Sequence, residues 1–574
     1  MPDHTEFTRT LGQAVTVDVE QALAEGVGPD ERHRRLMERA KMFVAAYLWD
    51  GTDRHGDPAL AAAALENVRA LRALQGPSGL FIGGDNVDSP PDSSFTVNDV
   101  CDTLHLIGLA AATSAGASGA ASEDLGAVAA ELDTIADAVE PALLTGGVHT
   151  PNHRWEISAA LARLHRRRPS AALRARAEEW LAEGVDITPD GVFSERSANY
   201  AAYVSNPSLS VIADEFGRDD AREAVVRNLE STLGLIHPDD SVETVHSRRQ
   251  DQLRRFPLAP YLVGYRRYAI ELGRGDFAWA AERALDGGIL HPATVLAELL
   301  IEPRLGGELP DAAPPAPQRA WEQSSLVVDD AAERRLVVFG GSDYPRFRRV
   351  RSGLSTNPTF LRLFAGDAVL DSVRLSRDFF GLGPFRADRF ETRHDADGTV
   401  HHVLEETVAA NYYQPLEADH RSATGEYALT DDGRFFGSMA FPERRRDEVA
   451  LRTAIDVRPT ADGAVVSIDI VGPDSPWALE LAFRDGGRFE GPRSLGDDGA
   501  AVLTEGIGRY VVGDTAIAFD AGDDYRAAGP ARYHPGEDYA FLGATDAAEG
   551  SRVYLTGRAP GRLVLTLRAE RVAR

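Results

Sequence analysis

Three polar loops in the first half of the chain hold the side chains best suited to chemistry. The first, Gly146–Glu156 (GGVHTPNHRWE), brings Asn152, His153 and Glu156 to the opening of a helix. A spacing of three puts His153 and Glu156 on one face of its first turn. The second, Asp190–Tyr203 (DGVFSERSANYAAY), runs from an Asp-Gly turn through Glu195 and Ser197 to Tyr200 and Tyr203. The third, Pro238–Gln252 (PDDSVETVHSRRQDQ), carries His246, Arg248, Arg249 and Asp251. Histidine, tyrosine and carboxylate groups can exchange protons, and arginine can neutralise an anion. Each loop also has a plainer reading. Asn152 suits a helix N-cap, with Glu156 near the positive helix end. Tyrosines at spacing three suit a helical core, and a run such as HSRRQD suits a solvated turn.

The elements that must position these loops are helices. Apolar residues recur at helical spacing through most of residues 10–302. The clearest blocks include Glu31–Leu48, Pro58–Leu74, Val97–Ala111, Leu125–Leu143, Arg154–His165, Tyr200–Phe216 and Leu253–Leu272. Strand-like alternation is scarce there, and no fixed-period repeat marks a solenoid. Many helices in one run without such a repeat predict a toroid, with the three loops on its concave side. The segment Glu302–Gln318 (EPRLGGELPDAAPPAPQ) is too rich in Pro and Gly for helix or strand and reads as a linker. Beyond about residue 320, runs such as RRLVVFGG, GAVVSIDIVG and RLVLTLRAE alternate with period two between Gly-rich turns. The expected organisation is multidomain α+β. An N-terminal (α/α) toroid (incomplete barrel) covers residues 1–302, a linker covers 303–319, and a C-terminal antiparallel β-sandwich covers 320–574.

The 574 residues carry a formal net charge of -28. So acidic a chain argues against nucleic acid as a partner. Arg346, Arg348, Arg349 and Arg351 in YPRFRRVR form a local basic cluster, either a contact for an anionic sugar or a solvated turn. The one cysteine, Cys101, allows no internal disulfide and reads as a buried helical residue beside Val100 and Leu104. No apolar run reaches the ~18 residues of a membrane span. The opening MPDHTEFTRTLGQ lacks the basic and apolar regions of a signal peptide, so a cytoplasmic location is expected.

The order of motifs is N-H-x-x-E opening a helix, then D-G-x-x-x-E-x-S-x-x-Y-x-x-Y, then P-D-x-S before a polar loop. This resembles the helical domain of the heparinase II/III-like polysaccharide lyases, across the helical part of the chain. The resemblance implies a toroid followed by a β-sandwich and β-elimination on a uronic-acid glycan. It implies that Tyr200 is the catalytic tyrosine and that Asn152 and His153 are the pair that binds the uronate carboxylate. From the loops themselves, His246 joins Tyr200 and His153 as a catalytic candidate, and Glu156, Tyr203, Glu195, Arg248 and Arg249 join Asn152 as candidate substrate contacts. Elimination removes the C5 proton of a uronate, alpha to its carboxylate. By the resemblance, Asn152, His153 and Arg248 or Arg249 neutralise that carboxylate and stabilise the enolate. Tyr200 serves as base and as acid for the departing O4, with His246 or an arginine lowering its pKa. The implied partner is an anionic oligosaccharide or polysaccharide; a homo-oligomer stays open. With no secretion signal read, exo-action on imported oligosaccharides is expected.

The sequence also departs from the family pattern. Relatives carry an H-G-H-A-D type segment early in the β domain, but Arg351–Phe360 (RSGLSTNPTF) has no histidine. No metal ligand or other cofactor is assigned, and a structural divalent metal stays open. His401 and His402, in a strand-like run, are expected at the surface or in packing. Two other classes stay open. A glycoside hydrolase on the toroid needs two facing carboxylates, drawn from Asp99, Asp102, Glu156 and Glu195. A non-catalytic glycan-binding protein would keep the fold alone.

Overall fold

The computed structural model describes residues 5–114, 124–316, 319–495, 500–530 and 549–572, with short strands at Asp538–Tyr539 and Ala544–Thr545. Residues 1–4 of the N-terminal reading, and Pro317 and Gln318 of the expected linker, lie outside the described residues. The chain packs into two compact units. One comprises Met1–Val242 with Phe256–Pro317, and the other Glu243–Arg255 with Gln318–Arg574. The chain therefore passes from unit to unit after Val242, after Arg255 and after Pro317.

The first unit is a toroid of helical hairpins. Helices His33–Leu48, Pro90–Ser114, Pro151–Arg167 and Asn206–Phe216 pack each on the next and form its inner wall. Pro292–Ile301 returns against His33–Leu48, where Lys41 Nζ donates to Thr294 Oγ1 at 2.9 Å. Pro58–Ala73, Gly126–Thr145, Ala171–Leu181 and Asp219–Leu233 follow inner helices as outer partners. His33–Leu48 and Pro151–Arg167 are buried nearly all round, as inner-wall helices must be. Proline sets the first turn of Pro58–Ala73, Pro151–Arg167 and Pro292–Ile301, where no N–H is needed.

The second unit is the expected antiparallel β-sandwich. Strand Gly463–Phe483 pairs with Ser551–Arg571 on one edge. On its other edge, its first half pairs with Arg446–Pro459 and its second half with Ala368–Arg377. The register shifts between Ile470 and Ser475, which bends the strand so that it serves both layers. One layer continues through Val400–Tyr413 to Arg389–His394. The other continues through Leu361–Ala365, Arg334–Phe339 and Leu326–Ala331. The short strand Ala500–Val502 runs parallel to Ser551–Arg571. Leu451, Ile455, Ile468, Leu479 and Leu565 meet in one core.

A charged pair crosses the sandwich strands. Arg374 Nε donates to Glu480 Oε1 at 3.0 Å, both side chains are buried, and Tyr554 Oη donates to Glu480 Oε2 at 2.9 Å. Arg374→Met leaves Glu480 charged and uncompensated, at a cost of about 3–5 kcal/mol. Urea unfolding should show a midpoint far below that of the wild type.

Candidate active site

Helix Pro151–Arg167 has Thr150 at its cap position, so Asn152 is not the N-cap. Asn152 is buried, and its Nδ2 donates to Glu195 Oε2 at 2.5 Å, tying the first loop to the second. The second loop reverses at Asp190–Gly191. Gly191 has φ of 82°, and a Cβ there would lie 2.5 Å from the Arg227 carbonyl oxygen, so glycine is required. Ser197 Oγ then accepts from Tyr200 N at 3.1 Å and starts the next helix. Pro207 follows Tyr203 by four residues and has no N–H for its carbonyl. The helix widens to π geometry over Ala201–Ser205, and Asn206 N bonds to the Ala201 carbonyl. Tyr203 sits in this turn at 39% exposure, its ring edge-on to His291 at 5.4 Å, so it is not a core tyrosine. Tyr200 and His153 are half-buried, and the His153 ring stands edge-on to His149 at 4.7 Å.

One helical turn beyond Asn152, Glu156 reaches a cavity of ≈ 540 Å³ in the bore of the toroid. Its Oε1 accepts from Asn98 Nδ2 at 2.6 Å and its Oε2 from Ser208 Oγ at 2.9 Å. Burial pushes the Glu156 carboxyl up to about 7, against the pull of those bonds and of Arg163. Asp102 is the opposite case. Burial would raise it, but Arg163 and Arg166, at 2.9 and 2.7 Å, outweigh burial and hold it at about 2. Asp99 accepts from Lys41 Nζ at 2.5 Å, yet burial still raises its carboxyl. Asn98, Ser208 and Lys41 were missed in the sequence. The spacing of three within Asp99/Asp102 and within Arg163/Arg166 was the available signal.

From Glu243 onward, the third loop belongs to the other unit. Glu243 is fully buried and pairs with Arg362 Nη1 at 2.6 Å while accepting from Thr244 N and Val245 N. Gln252 Oε1 accepts from Thr356 N at 2.9 Å, and its carbonyl accepts from Asn357 Nδ2 at 2.7 Å. These bonds hold the segment on the sandwich, so it is not a solvated charge run. His246 and Arg249 are buried. Arg248 gives Nε and Nη2 to Asp343 at 2.8 and 2.9 Å.

Several other candidates resolve into structural roles. Burial pushes the Cys101 thiol up to about 12, so no thiolate nucleophile forms there. His401 and His402 are both buried. His401 Nδ1 lies 2.8 Å from Asp456 Oδ2, and His402 stacks on Phe390 at 6.1 Å. Arg346, Arg348, Arg349 and Arg351 are exposed, with Arg348 3.8 Å from Asp388. Among the described residues no group of three or more His, Cys, Asp or Glu is placed to hold a metal ion. No helix among them is long and apolar enough to cross a membrane.

This pairing of a helical toroid with an antiparallel sandwich is the fold of known polysaccharide lyases. The chondroitin AC lyase of Streptomyces coelicolor A3, solved in complex with chondroitin sulphate, matches over 99% of this chain and 80% of its own, with TM-score 0.56 and 15% identity. Heparinase III matches over 93% of this chain and 77% of its own, with TM-score 0.53 and 10% identity. A Paenibacillus xanthan lyase matches over 98% of this chain and 57% of its own, with TM-score 0.54 and 10% identity. No protein-family model matches the chain, and no curated protein matches it. The resemblance read from the three loops thus holds at the level of fold.

The raised Glu156 carboxyl makes stability depend on pH. The folded state keeps this proton above the ordinary carboxylate value of 4.5, so stability falls as pH rises from there toward about 7. Thermal melts across that window should show the fall, and Glu156→Gln should flatten it. An unchanged slope in the variant would place the proton elsewhere.

Proposed function

We propose that this chain is a carbon–oxygen lyase that cleaves a uronic-acid-containing glycan by β-elimination. The observation that carries the reading is a polysaccharide-lyase fold along almost the whole chain, with the Asn152–Glu195 bond joining the loops that bear His153 and Tyr200. Tyr200 takes the C5 proton and passes a proton to O4. The C5–H and C4–O4 bonds break, a C4–C5 double bond forms, and no water is consumed. His153, and the amide hydrogen of Asn152 not given to Glu195, face the uronate carboxylate. Glu156, Glu195 and Tyr203 are proposed to line the sugar path. His246 is proposed to favour the tyrosinate. Arg248 or Arg249 is the proposed arginine donor. Exo-action on imported oligosaccharides is part of the proposal, to be read from product sizes.

Glycoside hydrolysis has less support. Of its four candidate carboxylates, Asp102 is held ionised by two arginines, Asp99 accepts from Lys41 and Glu195 accepts from Asn152. Glu156 has a raised carboxyl and no bonded cation, and hydrolysis needs a second carboxylate acting with it across the sugar.

Elimination leaves a conjugated double bond that absorbs in the ultraviolet. On a panel of chondroitin, heparan, alginate and xanthan oligosaccharides, at least one should give rising absorbance. Tyr200→Phe should lower the rate by about 100-fold or more, as loss of a general base does. No absorbance on the whole panel, or full activity in the variant, would sink the reading.

A further inference from the structure

His291 has a backbone that its residue type does not favour. It precedes helix Pro292–Ile301 with φ of 56° and ψ of 60°, a left-handed conformation that suits glycine or asparagine, and Pro292 narrows its choice further. Capping does not offset this strain, because the His291 side chain makes no bond to the start of the helix. It turns instead to Glu38, whose Oε1 lies 3.0 Å from His291 Nδ1. The two side chains are 54% and 40% exposed, and an ion pair so open to water adds little to stability. Backbone strain that packing and pairing leave unexplained is a mark of a residue held for function.

His291 and Glu38 line the bore cavity together with Tyr203 and Leu290. The Tyr203 ring stands edge-on to His291 at 5.4 Å, and Leu290 is 42% exposed. With Nδ1 committed to Glu38, the other ring nitrogen, Nε2, has no hydrogen bond or ion pair among the described residues. Glu38 outweighs burial and raises the histidine's pKa above its ordinary value; Asp18, on helix Glu6–Glu25, adds to the rise and Lys41 opposes it. Lys41 is itself held by Asp99. We propose that Glu38 and His291 form a sugar-positioning dyad, in which His291 Nε2–H donates to an acidic oxygen, carboxylate or sulphate, of the sugar next to the cleaved uronate. Glu38 fixes the direction of the ring, and the protonated ring donates from both nitrogens. The Tyr203 ring beside it takes the apolar face of the same sugar. This inference rests on the lyase reading and adds a second acidic group to the substrate.

The test measures binding rather than turnover, on the full chain carrying Tyr200→Phe. The probes are alginate and chondroitin sulphate oligosaccharides, with their carboxyl-reduced forms as controls. Calorimetry should show at least one acidic oligosaccharide binding at about pH 6 and about tenfold more weakly at about pH 9, because the raised histidine loses its proton as pH rises through its pKa. Glu156 also loses its proton in this window, so comparison with His291→Asn decides. That variant suits the left-handed backbone and should melt no lower than its parent. At the lower pH it should bind about tenfold more weakly, the worth of one ionic hydrogen bond, and it should lose most of the pH dependence that its parent shows. Glu38→Gln should move the loss of binding to lower pH. Binding kept by carboxyl-reduced chondroitin sulphate assigns the oxygen to sulphate, and binding lost assigns it to carboxylate; either supports the dyad. No binding of any acidic oligosaccharide, equal binding of carboxyl-reduced alginate, or unchanged affinity and pH profile in His291→Asn overturns the proposal. So does a marked fall in that variant's melting temperature, which would make the dyad structural. Absorbance from the wild type with unchanged binding in His291→Asn sinks the dyad alone, whereas binding without absorbance sinks the lyase reading alone.

Discussion

The helical unit is governed by charge pairing around its bore. Each inner helix carries ionised groups into that space, and each needs a partner on its neighbour. Asp102 on Pro90–Ser114 takes Arg163 and Arg166 from Pro151–Arg167, and Arg166 passes on to Glu215 on Asn206–Phe216. These pairs set the rotation of each helix about its own axis. The rotation that delivers Arg163 to Asp102 also turns Glu156, two helical turns earlier, into the cavity. Asn152, one turn earlier again, then comes within reach of Glu195. The arrangement of the candidate loops therefore follows from a ladder of ion pairs that itself touches no substrate in the proposed chemistry.

A second constraint is local. Pro207 denies the Tyr203 carbonyl its usual donor, and the resulting π turn exposes Tyr203 to the bore. Gly191 and the Ser197 cap fix the other side of the same loop. Tyr200 thus begins a helix whose start and first turns are both over-determined. This is the kind of placement that a proton-transferring side chain requires.

Much of this was legible in the sequence. Helical periodicity, first-turn prolines and the shift to period-two runs after residue 320 are local signals, and they gave both layers of the architecture. The fate of Pro238–Gln252 was not legible. Its anchors, Arg362, Thr356 and Asn357, lie more than a hundred residues away, and nothing in HSRRQD announces them. Asn152 misled for a similar reason. Its type suits a cap, but a glutamate from a distant loop claims its amide. The protonation of Glu156 depends on burial among four helices, which no spacing reveals.

Elimination and hydrolysis differ by one molecule of water, which only hydrolysis adds to the products. Digestion of a uronide substrate in heavy-oxygen water, followed by mass spectrometry, tests the central claim most directly. The account predicts unsaturated products that carry no solvent oxygen at the cleaved bond. Products carrying one heavy oxygen at that bond would contradict it and make the chain a hydrolase.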